Sequence, residues 1–454
     1  MKKIFQYIML AVVTIVMASC TSDIEETTAT TGKNNVQLVV GEFPAFGDSQ
    51  TRAIGTTDPG KTSWAEGDEL LLEINNTTYG KKYATFTYNG KSWELTSGEL
   101  VYLEGDPAYI PHVYYAPNYK WANTSLMLKK GKAAGTDEYI EGKARITGNG
   151  ETITVSFADA TRKYSRLRIA TLPNEQITVD TEDFTPAGSS DMEQKGNYTL
   201  TSDEKGNAYL YGTFENNSEV TVKYREAALT THTFSQATES AKSYALDATV
   251  ISANSAEEIK SAIEQKVADG KTAIRLNLAS DAGDNEFKAI REAFKNVKSG
   301  TIDLTLIGCK EIPADGLNNQ SGGLEALKSI TLPDVTKIGK NALLFCVDLE
   351  EINTPNVTSI HENAFGGCTN LQKITFGELT EVKGLSHDYD GILDPGVNTE
   401  RINLVLSENQ KVMTKNRQGN EYFWTPTKEY YKGIVEYGSP SFLEYTFNSV
   451  SFKK

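Results

Sequence analysis

A 22-residue period in the C-terminal half constrains the fold of this chain more than any other feature. Leu327, Leu349 and Leu371 are spaced at this interval. Further sets keep the same interval: Ile330, Ile352 and Ile374; Val335, Val357 and Leu379; Ile338, Ile360 and Val382; Ala342 and Ala364; Cys346 and Cys368. One unit of this length cannot bury its own apolar face. The period therefore predicts stacked turns that share one continuous core.

The first two full units share the pattern L-x-x-I-x-x-P, which ends at Pro333 and Pro355. This pattern is typical of a leucine-rich repeat. A preceding segment, 301–317, has the features of a degenerate turn, because its apolar residues precede equivalent residues by about 26 positions. We therefore assign residues 300–385 to a short leucine-rich-repeat solenoid of the α/β class.

Helices are expected in residues 251–299, ahead of the repeats. Ser255 opens a capping box before apolar residues at helical spacing, and Gly270 ends that helix. A second helix ends at Gly300 and has four apolar residues on one face: Phe287, Ile290, Phe294 and Val297. A short array exposes apolar surface at both ends. We predict that 251–299 caps the first end and 386–454 caps the second.

The N-terminal half consists of short runs rich in β-branched and aromatic residues, separated by Gly, Asn, Asp or Pro turns. Polar and apolar residues alternate, as in Thr152–Phe157. Regular short strands of this kind predict tandem antiparallel β-sandwiches, the first at 34–162 and the second at 163–250. Hydrophobic residues make up 39% of the chain, enough for a folded core. The predicted fold class is thus multidomain and mainly β.

Residues 1–19 have the pattern of a signal peptide: Lys2 and Lys3 precede a short apolar run that is too short to cross a bilayer comfortably. The small residues before Cys20 resemble the lipobox of bacterial lipoproteins. This resemblance implies that the Cys20 thiol is diacylated and that Cys20 becomes the N-terminus. An ordinary secretory signal, in which Cys20 has no role, is the alternative.

Residues 20–33 are polar and Thr-rich, which is typical of a tether. Asp23, Glu25 and Glu26 form an acidic cluster close to Cys20. The cluster resembles the signal that sends lipoproteins of Bacteroides-type bacteria to the cell exterior. It implies a lipid-anchored, surface-exposed protein of a Gram-negative outer membrane.

The segments Val335–Ala342 and Val357–Leu371 resemble BspA-type leucine-rich repeats, whose turn has the form I-x-x-x-A-F-x-x-C-x-x-L. The second segment matches this form closely. The unit before it departs from the form, since Leu343-Leu344-Phe345 replaces the usual Phe-x-x. The family occurs on surface proteins of anaerobes and is associated with attachment to host proteins and other cells. The resemblance implies a binding role.

The opening strand Val36–Val40, the segment Trp64–Leu70 and the segment Tyr114–Pro117 give the β-rich half a pattern that resembles the fimbrillin family of Bacteroidales surface proteins. In polymerising fimbrillins the N-terminal strand is cut off after an arginine, and a strand of the next subunit fills the groove. Arg52 and Ala53 stand at the position of that cut, although an exposed loop arginine is an equal alternative. A capped solenoid replaces the donor strand, which favours a terminal, accessory or free-standing subunit. The resemblance rests on these segments: Val36–Val40, Thr51–Ala53, Trp64–Leu70, Trp93, Tyr114–Pro117 and Ser243–Ala248.

These features predict a cell-surface adhesin or a fimbrial accessory or tip-type lipoprotein. Its solenoid face would attach to a protein or cell, with fimbrial subunits as further partners. The candidate binding residues lie between the core positions of each strand, where ordinary solvated surface is the alternative: Lys328, Ser329, Thr331, Glu350, Glu351, Asn353, Gln372, Lys373 and Thr375.

A glycan-binding surface lipoprotein of a nutrient-uptake system is the second candidate function. Such a protein needs a platform of exposed aromatic rings. Four tryptophans could supply the platform or could pack in the core instead: Trp64, Trp93, Trp121 and Trp424.

Composition disfavours other classes of function. The net charge of −15 would repel nucleic acid and anionic lipid, so we expect membrane contact only through the lipid anchor. The sequence has no nucleophile elbow, no paired His-Glu metal motif and no phosphate-binding Gly loop. Four histidines offer little acid–base chemistry near neutral pH. We predict a non-enzymatic protein without cofactor or metal, although its acidic pairs are also compatible with a carboxylate glycosidase.

A few side chains allow two interpretations. Cys346 and Cys368 occupy equivalent places in adjacent turns, where a disulfide or two stacked small apolar side chains would fit. His361 and His387 are isolated and are expected on the surface or in turns. The acidic stretch 388–394 resembles a calcium loop but lacks its remaining ligands, and an ordinary polar turn is the alternative.

Overall fold

Strands in several sheets dominate the chain, which confirms the predicted mainly β fold. We call its three consecutive parts the first β region (residues 25–157), the second β region (162–250) and the repeat region (251–453). The computed structural model describes the following residues: 25–26, 37–44, 46, 60–99, 108–147, 152–157, 162–225, 227–253, 255–318, 323–387, 391–435 and 440–453.

The strands of the first β region follow from alternating burial. In Gly80–Tyr88, for example, Ala84, Phe86 and Tyr88 are buried, whereas the threonines between them are half-buried. The strands run in the order β1-β2-β10-β9-β6-β3-β4-β5, and β7 and β8 form a separate hairpin. Their bounds are β1 Glu25–Glu26, β2 Gln37–Val40, β3 Glu69–Asn76, β4 Gly80–Tyr88, β5 Trp93–Gly98, β6 Ala108–Tyr115, β7 Tyr119–Ala122, β8 Ser125–Leu128, β9 Ile140–Thr147 and β10 Thr152–Ser156.

The second β region forms one seven-stranded sheet around an aromatic core. The ring of Phe214 lies 4.5 Å from the rings of Phe184 and Phe234, centroid to centroid. The strand order is β16-β15-β12-β14-β11-β17, and β13 pairs with β12. The bounds are β11 Ser165–Ala170, β12 Gln176–Pro186, β13 Glu193–Thr201, β14 Asn207–Phe214, β15 Glu219–Tyr224, β16 Ala227–Thr233 and β17 Ser243–Asp247.

The prediction of wholly antiparallel sheets is wrong at one strand pair in each β region. Strand β2 lies parallel to β10, and β11 lies parallel to β17. In both regions an early strand thus pairs with the last strand. Parallel neighbours need a long connection between them, and here the intervening strands provide it.

Two helices precede the repeats, as the apolar spacing predicts. The Ser255 hydroxyl accepts a hydrogen bond from the Glu258 backbone N–H at 3.2 Å and caps α1. At the start of α2, the Glu286 carboxylate accepts one from the Gly283 N–H at 2.9 Å. No helix in the described segments is both long and apolar enough to cross a membrane.

The repeat region is built on two sheets. The larger sheet is parallel throughout, in the order β18-β19-β20-β22-β24-β26-β28-β33, and the smaller one has the order β21-β23-β25-β27-β30-β29. The bounds are β18 Ile251–Ser252, α1 Ala256–Ala268, β19 Ala273–Asn277, α2 Asp284–Phe294, β20 Ile302–Ile307, β21 Glu311–Ile312, β22 Leu327–Thr331, β23 Lys337–Ile338, β24 Glu351–Thr354, β25 Ser359–His361, β26 Lys373–Phe376, β27 Glu381–Leu385, a 3₁₀ turn Thr399–Arg401, β28 Asn403–Ser407, β29 Lys411–Gln418, β30 Glu421–Tyr430, α3 Lys432–Val435, β31 Ser441–Phe442, β32 Tyr445–Thr446 and β33 Ser449–Lys453.

Strand pairing in the repeat region follows the sequence period. Ile330 is in register with Ile352, and Ile352 with Ile374. All three side chains are fully buried in one apolar core. The segment 301–317 pairs with the first full unit in the 26-residue register expected of a degenerate turn, as Leu304 faces Ile330. The equivalent apolar residues therefore lie on top of one another.

The repeat region is joined to the second β region by buried contacts. Ile307, at the end of β20, belongs to the apolar core of the second β region. The Arg275 guanidinium, which is 7% exposed, donates a hydrogen bond to the Leu229 carbonyl. Lys271 and Asp247 form an ion pair at 3.4 Å beside this contact. The two regions therefore share side chains rather than only a linker.

Candidate functional site

The larger sheet of the repeat region displays two rows of side chains that alternate with its buried core residues. Each row takes one residue from each of six neighbouring strands, in register. The first row is Asp303, Ser329, Glu351, Lys373, Asn403 and Ser449. The second row is Thr305, Thr331, Asn353, Thr375, Val405 and Ser451. We call these two rows the strand face.

The side chains of the first row bind one another in pairs. The Ser329 hydroxyl donates to the Asp303 carboxylate at 2.6 Å. Lys373 Nζ lies 2.7 Å from Glu351 Oε1, and both side chains remain close to half exposed. Asn403 Oδ1 accepts a hydrogen bond from the next residue of the row. Exposed pairs of this kind contribute only about 0.2–1 kcal/mol to the stability of the folded protein. These groups can therefore exchange partners at little cost in free energy.

The second row is uncharged and consists mainly of short side chains. Thr331 and Asn353 are half-buried, whereas Thr305 is 8% and Thr375 is 7% exposed. The expectation of an exposed Thr375 is therefore wrong. The row forms a shallow strip with little charge of its own.

The other predicted face residues differ in exposure. Lys328, Gln372 and Lys373 are exposed, whereas Ser329, Glu350 and Glu351 are half-buried. Backbone hydrogen bonds run from Glu350 N to Lys328 O and from Gln372 N to Glu350 O. Lys328 lies within β22, whereas Glu350 and Gln372 immediately precede β24 and β26. The structure places six of the nine predicted residues in register on the strand face: Ser329, Thr331, Glu351, Asn353, Lys373 and Thr375.

A polar row on the smaller sheet was not singled out from the sequence, although it follows the same period. It comprises Glu311, Lys337, Ser359 and Glu381. Lys337 Nζ lies 2.6 Å from the Glu311 carboxylate, and the Ser359 hydroxyl donates to Glu381 at 3.2 Å. The period could have identified the row, because Lys337, Ser359 and Glu381 are spaced 22 residues apart and Glu311 precedes Lys337 by the 26 residues of the degenerate turn.

His361 lies on strand β25 beside this row and is half-buried rather than at a turn. Burial lowers the pKa of its imidazole below the usual value, and the charge of nearby Lys383 lowers it further. Its Nε2 atom has no hydrogen-bond partner among the described residues. The folded protein therefore favours the neutral form of His361.

Cys346 and Cys368 are free and buried, which confirms the interpretation as stacked small apolar residues and excludes a disulfide between them in this structure. The Cys368 thiol donates to the Leu343 carbonyl at 3.3 Å. Burial raises the pKa of the Cys346 thiol to about 12. Neither thiol is a reactive group at neutral pH.

The departure at 343–345 from the BspA-type pattern has a structural outcome. Leu343 is fully buried, as is Phe365 in the next unit. Phe345 is 43% exposed and has a φ of 60°, where the following unit has Gly367 at 70°. A bulky side chain rarely adopts this left-handed conformation. Leu343 thus takes the core position, and Phe345 lies at the surface.

Several sequence-predicted sites lie outside the described residues. These are the lipidation site Cys20, the processing site at Arg52 and Ala53, and the acidic residues Asp388 and Asp390. Over the described ranges, no group of three or more His, Cys, Asp or Glu side chains could hold a metal ion.

Three of the four tryptophans pack inside the protein instead of forming a platform. Trp93 is fully buried and Trp424 is 8% exposed. Trp64 donates its indole N–H to the Gly41 carbonyl at 2.8 Å and packs at right angles to Trp93. Trp121 is half-buried and packs against Tyr83 at a tilt of 54°, with 4.6 Å between ring centroids. The prediction of an exposed tryptophan platform for a glycan is therefore wrong.

Comparison with known proteins gives one match to a family. No curated protein matches the chain. Among solved structures, the minor pilin GBS52 of the gram-positive pathogen Streptococcus agalactiae is similar over 47% of this chain and 93% of its own, at 10% identity and a TM-score of 0.17. That likeness is too weak to support an inference, and the fimbrillin resemblance stays a prediction. Over residues 291–386, this chain is similar to the BspA type leucine rich repeat region, in six copies.

Proposed function

We propose that this protein is a non-enzymatic surface adhesin whose repeat region is a leucine-rich solenoid that binds a partner protein through the strand face. The in-register stacking of the strand face carries this proposal. The match of residues 291–386 to a repeat family associated with attachment supports it.

The strand face suits protein binding because it is regular and rigid. Its two rows cross six strands, so each extends for roughly 24 Å at the usual strand spacing. Fully buried isoleucines and leucines lie behind it. A face that is already ordered loses little conformational entropy on binding.

The chemistry of the strand face favours an uncharged polar or mildly charged partner segment. Glu351 and Lys373 neutralise each other, and the second row carries no charge. Recognition would rely on hydrogen bonds from short hydroxyl and amide side chains, within a shallow contact. A strongly cationic or anionic partner would gain little from this surface.

Display at the cell surface is a further part of the proposal. The signal-like pattern of residues 1–19 and the small residues before Cys20 support a diacylated lipoprotein of a Gram-negative outer membrane. A role as a fimbrial accessory or tip subunit, cut after Arg52, would use the two β regions as a stalk. Intact-mass analysis of protein from native membranes distinguishes a lipid-bearing Cys20 terminus from one at Ala53.

The strand face is tested by placing a long charged side chain in its second row. Thr331→Arg should weaken binding to immobilised extracellular-matrix proteins by at least about tenfold, because the arginine prevents close approach. Thr199→Arg, on the exposed face of β13, is the matched control and should bind as the unmodified chain does. Equal binding by Thr331→Arg, or no binding by the unmodified chain to any protein of the panel, would contradict the proposal.

A further inference from the structure

A cleft of about 400 Å³ lies between the first and second β regions, far along the chain from the repeats. Its size is within the range of small-ligand pockets, about 300–1,000 Å³, and domain junctions are common places for such pockets. Both regions contribute to its lining. The residues that matter here are Tyr114, Tyr139, Glu141, Lys163, Ser190 and Thr213.

The walls of the cleft are held together by buried polar contacts between the two β regions. The Tyr139 N–H donates to the Tyr164 hydroxyl at 3.1 Å, and that hydroxyl donates to the Glu138 carboxylate at 2.9 Å. Arg162 also bonds to Glu138, and both side chains are less than 5% exposed. Phe46 packs against the Arg162 guanidinium at 3.9 Å. The cleft therefore exists before any ligand arrives.

One wall of the cleft is aromatic. The rings of Tyr114 and Tyr139 lie 5.5 Å apart, and both residues are half-buried. From outside the cleft, the Trp121 ring packs on Tyr114 with 6.3 Å between ring centroids, and the Tyr119 ring packs on Tyr139 with 5.1 Å between them. These neighbours fix the two tyrosines in place. Their rings offer apolar faces, and their hydroxyls offer hydrogen bonds.

The charges around the cleft are paired. Glu141 lies 3.2 Å from Lys163 and 3.4 Å from His112, and Arg162 is neutralised by Glu138. Within the described lining, a charged ligand would therefore meet no unbalanced charge of opposite sign. The opposite wall offers hydroxyls and backbone, with Ser190 exposed and Thr213 half-buried. This lining suits an uncharged molecule with many hydroxyls and some apolar surface.

We propose that this cleft binds a neutral saccharide. A sugar ring has an apolar C–H face that would pack on Tyr114 and Tyr139, and a rim of hydroxyls that would bond to Ser190, Thr213 and the Glu141 carboxylate. This site is separate from the strand face and does not depend on the function proposed for it. A failure of protein binding at Thr331 would leave the saccharide site intact.

The test uses the purified full chain and a panel of neutral oligosaccharides of glucose, mannose, galactose and xylose, measured by isothermal titration calorimetry. At least one should bind. Tyr114→Ala should weaken that binding about tenfold, the loss expected when one aromatic contact is removed. Ser190→Trp should abolish it by filling the cleft. Tyr109→Ala, an exposed tyrosine on the same strand, is the matched control and should leave binding unchanged.

Three results would overturn the proposal. One is the absence of binding across the panel by the unmodified chain. Another is unchanged saccharide binding by the Ser190→Trp variant, provided that this variant unfolds at the same temperature as the unmodified chain. In that case the saccharide must bind elsewhere. The third is tighter binding of an acidic oligosaccharide, such as oligogalacturonate, than of its neutral counterpart. That result would show that the paired charges do not set the ligand class.

Discussion

The repeat region and the two β regions reach a stable core by different routes. In the repeat region each strand pairs with the strand one unit away, and the core is largely aliphatic. In the β regions strands pair across long stretches of chain, as Gln37 does with Thr152, and aromatic rings fill much of the core. Local pairing makes the stability of a repeat array a sum over neighbours. In a β region with long-range pairing, stability depends instead on a few contacts where the two β regions meet.

The largest expected effect is at the junction of the β regions. Arg162→Ala leaves the buried Glu138 carboxylate without its charged partner, with only the Tyr164 hydroxyl still bonded to it, which should destabilise the β regions by about 3–5 kcal/mol. Hydrogen exchange followed by mass spectrometry should show faster exchange in β9 and β11 than in the repeats. The double variant Arg162→Met/Glu138→Met removes both charges and should recover part of the loss. Equal loss of protection throughout the chain would contradict this difference between regions.

A core truncation in the middle of the array comes next. Ile352→Ala should destabilise the repeat region by about 2–5 kcal/mol, because Ile352 is fully buried between Ile330 and Ile374. Exchange should rise in β22 and β26 and leave the first β region unchanged. Ile352→Val is the matched control and should cost about 0.5–1.5 kcal/mol. If the first β region lost protection equally, the repeats would not be a separate unit of stability.

Loss of the helix cap should have a smaller effect. Ser255→Ala removes the hydroxyl that accepts from the Glu258 N–H and should cost about 0.5–2 kcal/mol, measured by chemical denaturation. The effect should be confined to α1 and the strands next to it. Ser252→Ala, at an exposed strand position, should stay within about 0.5 kcal/mol of the unmodified chain. A larger effect at Ser252 would mean that the cap is not the source of the stabilisation.

The smallest effect concerns pH and is specific to the repeats. Burial and the nearby Lys383 charge lower the pKa of His361 in the folded state, so protonation favours the unfolded chain. The stability that the neutral imidazole contributes is therefore present above about pH 6.5, the pKa of histidine in the unfolded chain. This stability is lost as the pH falls through the lower pKa of His361 in the folded protein. His361→Gln should narrow the difference in Tm between about pH 7.5 and pH 5. An unchanged difference would argue against this linkage.

The sequence predicted what depends on local pattern and period. The strand Thr152–Ser156, the cap at Ser255 and the stacking of Ile330 on Ile352 all follow from residues close together or regularly spaced. The parallel pairing of β2 with β10 had no such signal, because its partners lie more than a hundred residues apart. The low exposure of Thr375 also escaped prediction, because the exposure of a side chain depends on neighbouring side chains that other strands contribute.

The cleft between the two β regions illustrates the same limit. Tyr114 and Ser190 come from different β regions, and nothing in either local sequence relates them. By contrast, the period alone identified six residues of the strand face, and five of these six are half-buried or exposed. Sites built by one repeated unit are therefore easier to predict than sites built where two folds meet.

The joint at Ile307 and Arg275 has a mechanical consequence. If a partner binds the strand face as proposed, a pull on it would put tension on the larger sheet. Strand β20 would carry that tension into the second β region through Ile307. The load then crosses buried side chains and the Arg275 contact with Leu229, instead of passing through a single strand of backbone. The repeat region and the second β region should therefore resist shear as one body, as the adhesive role proposed above would require.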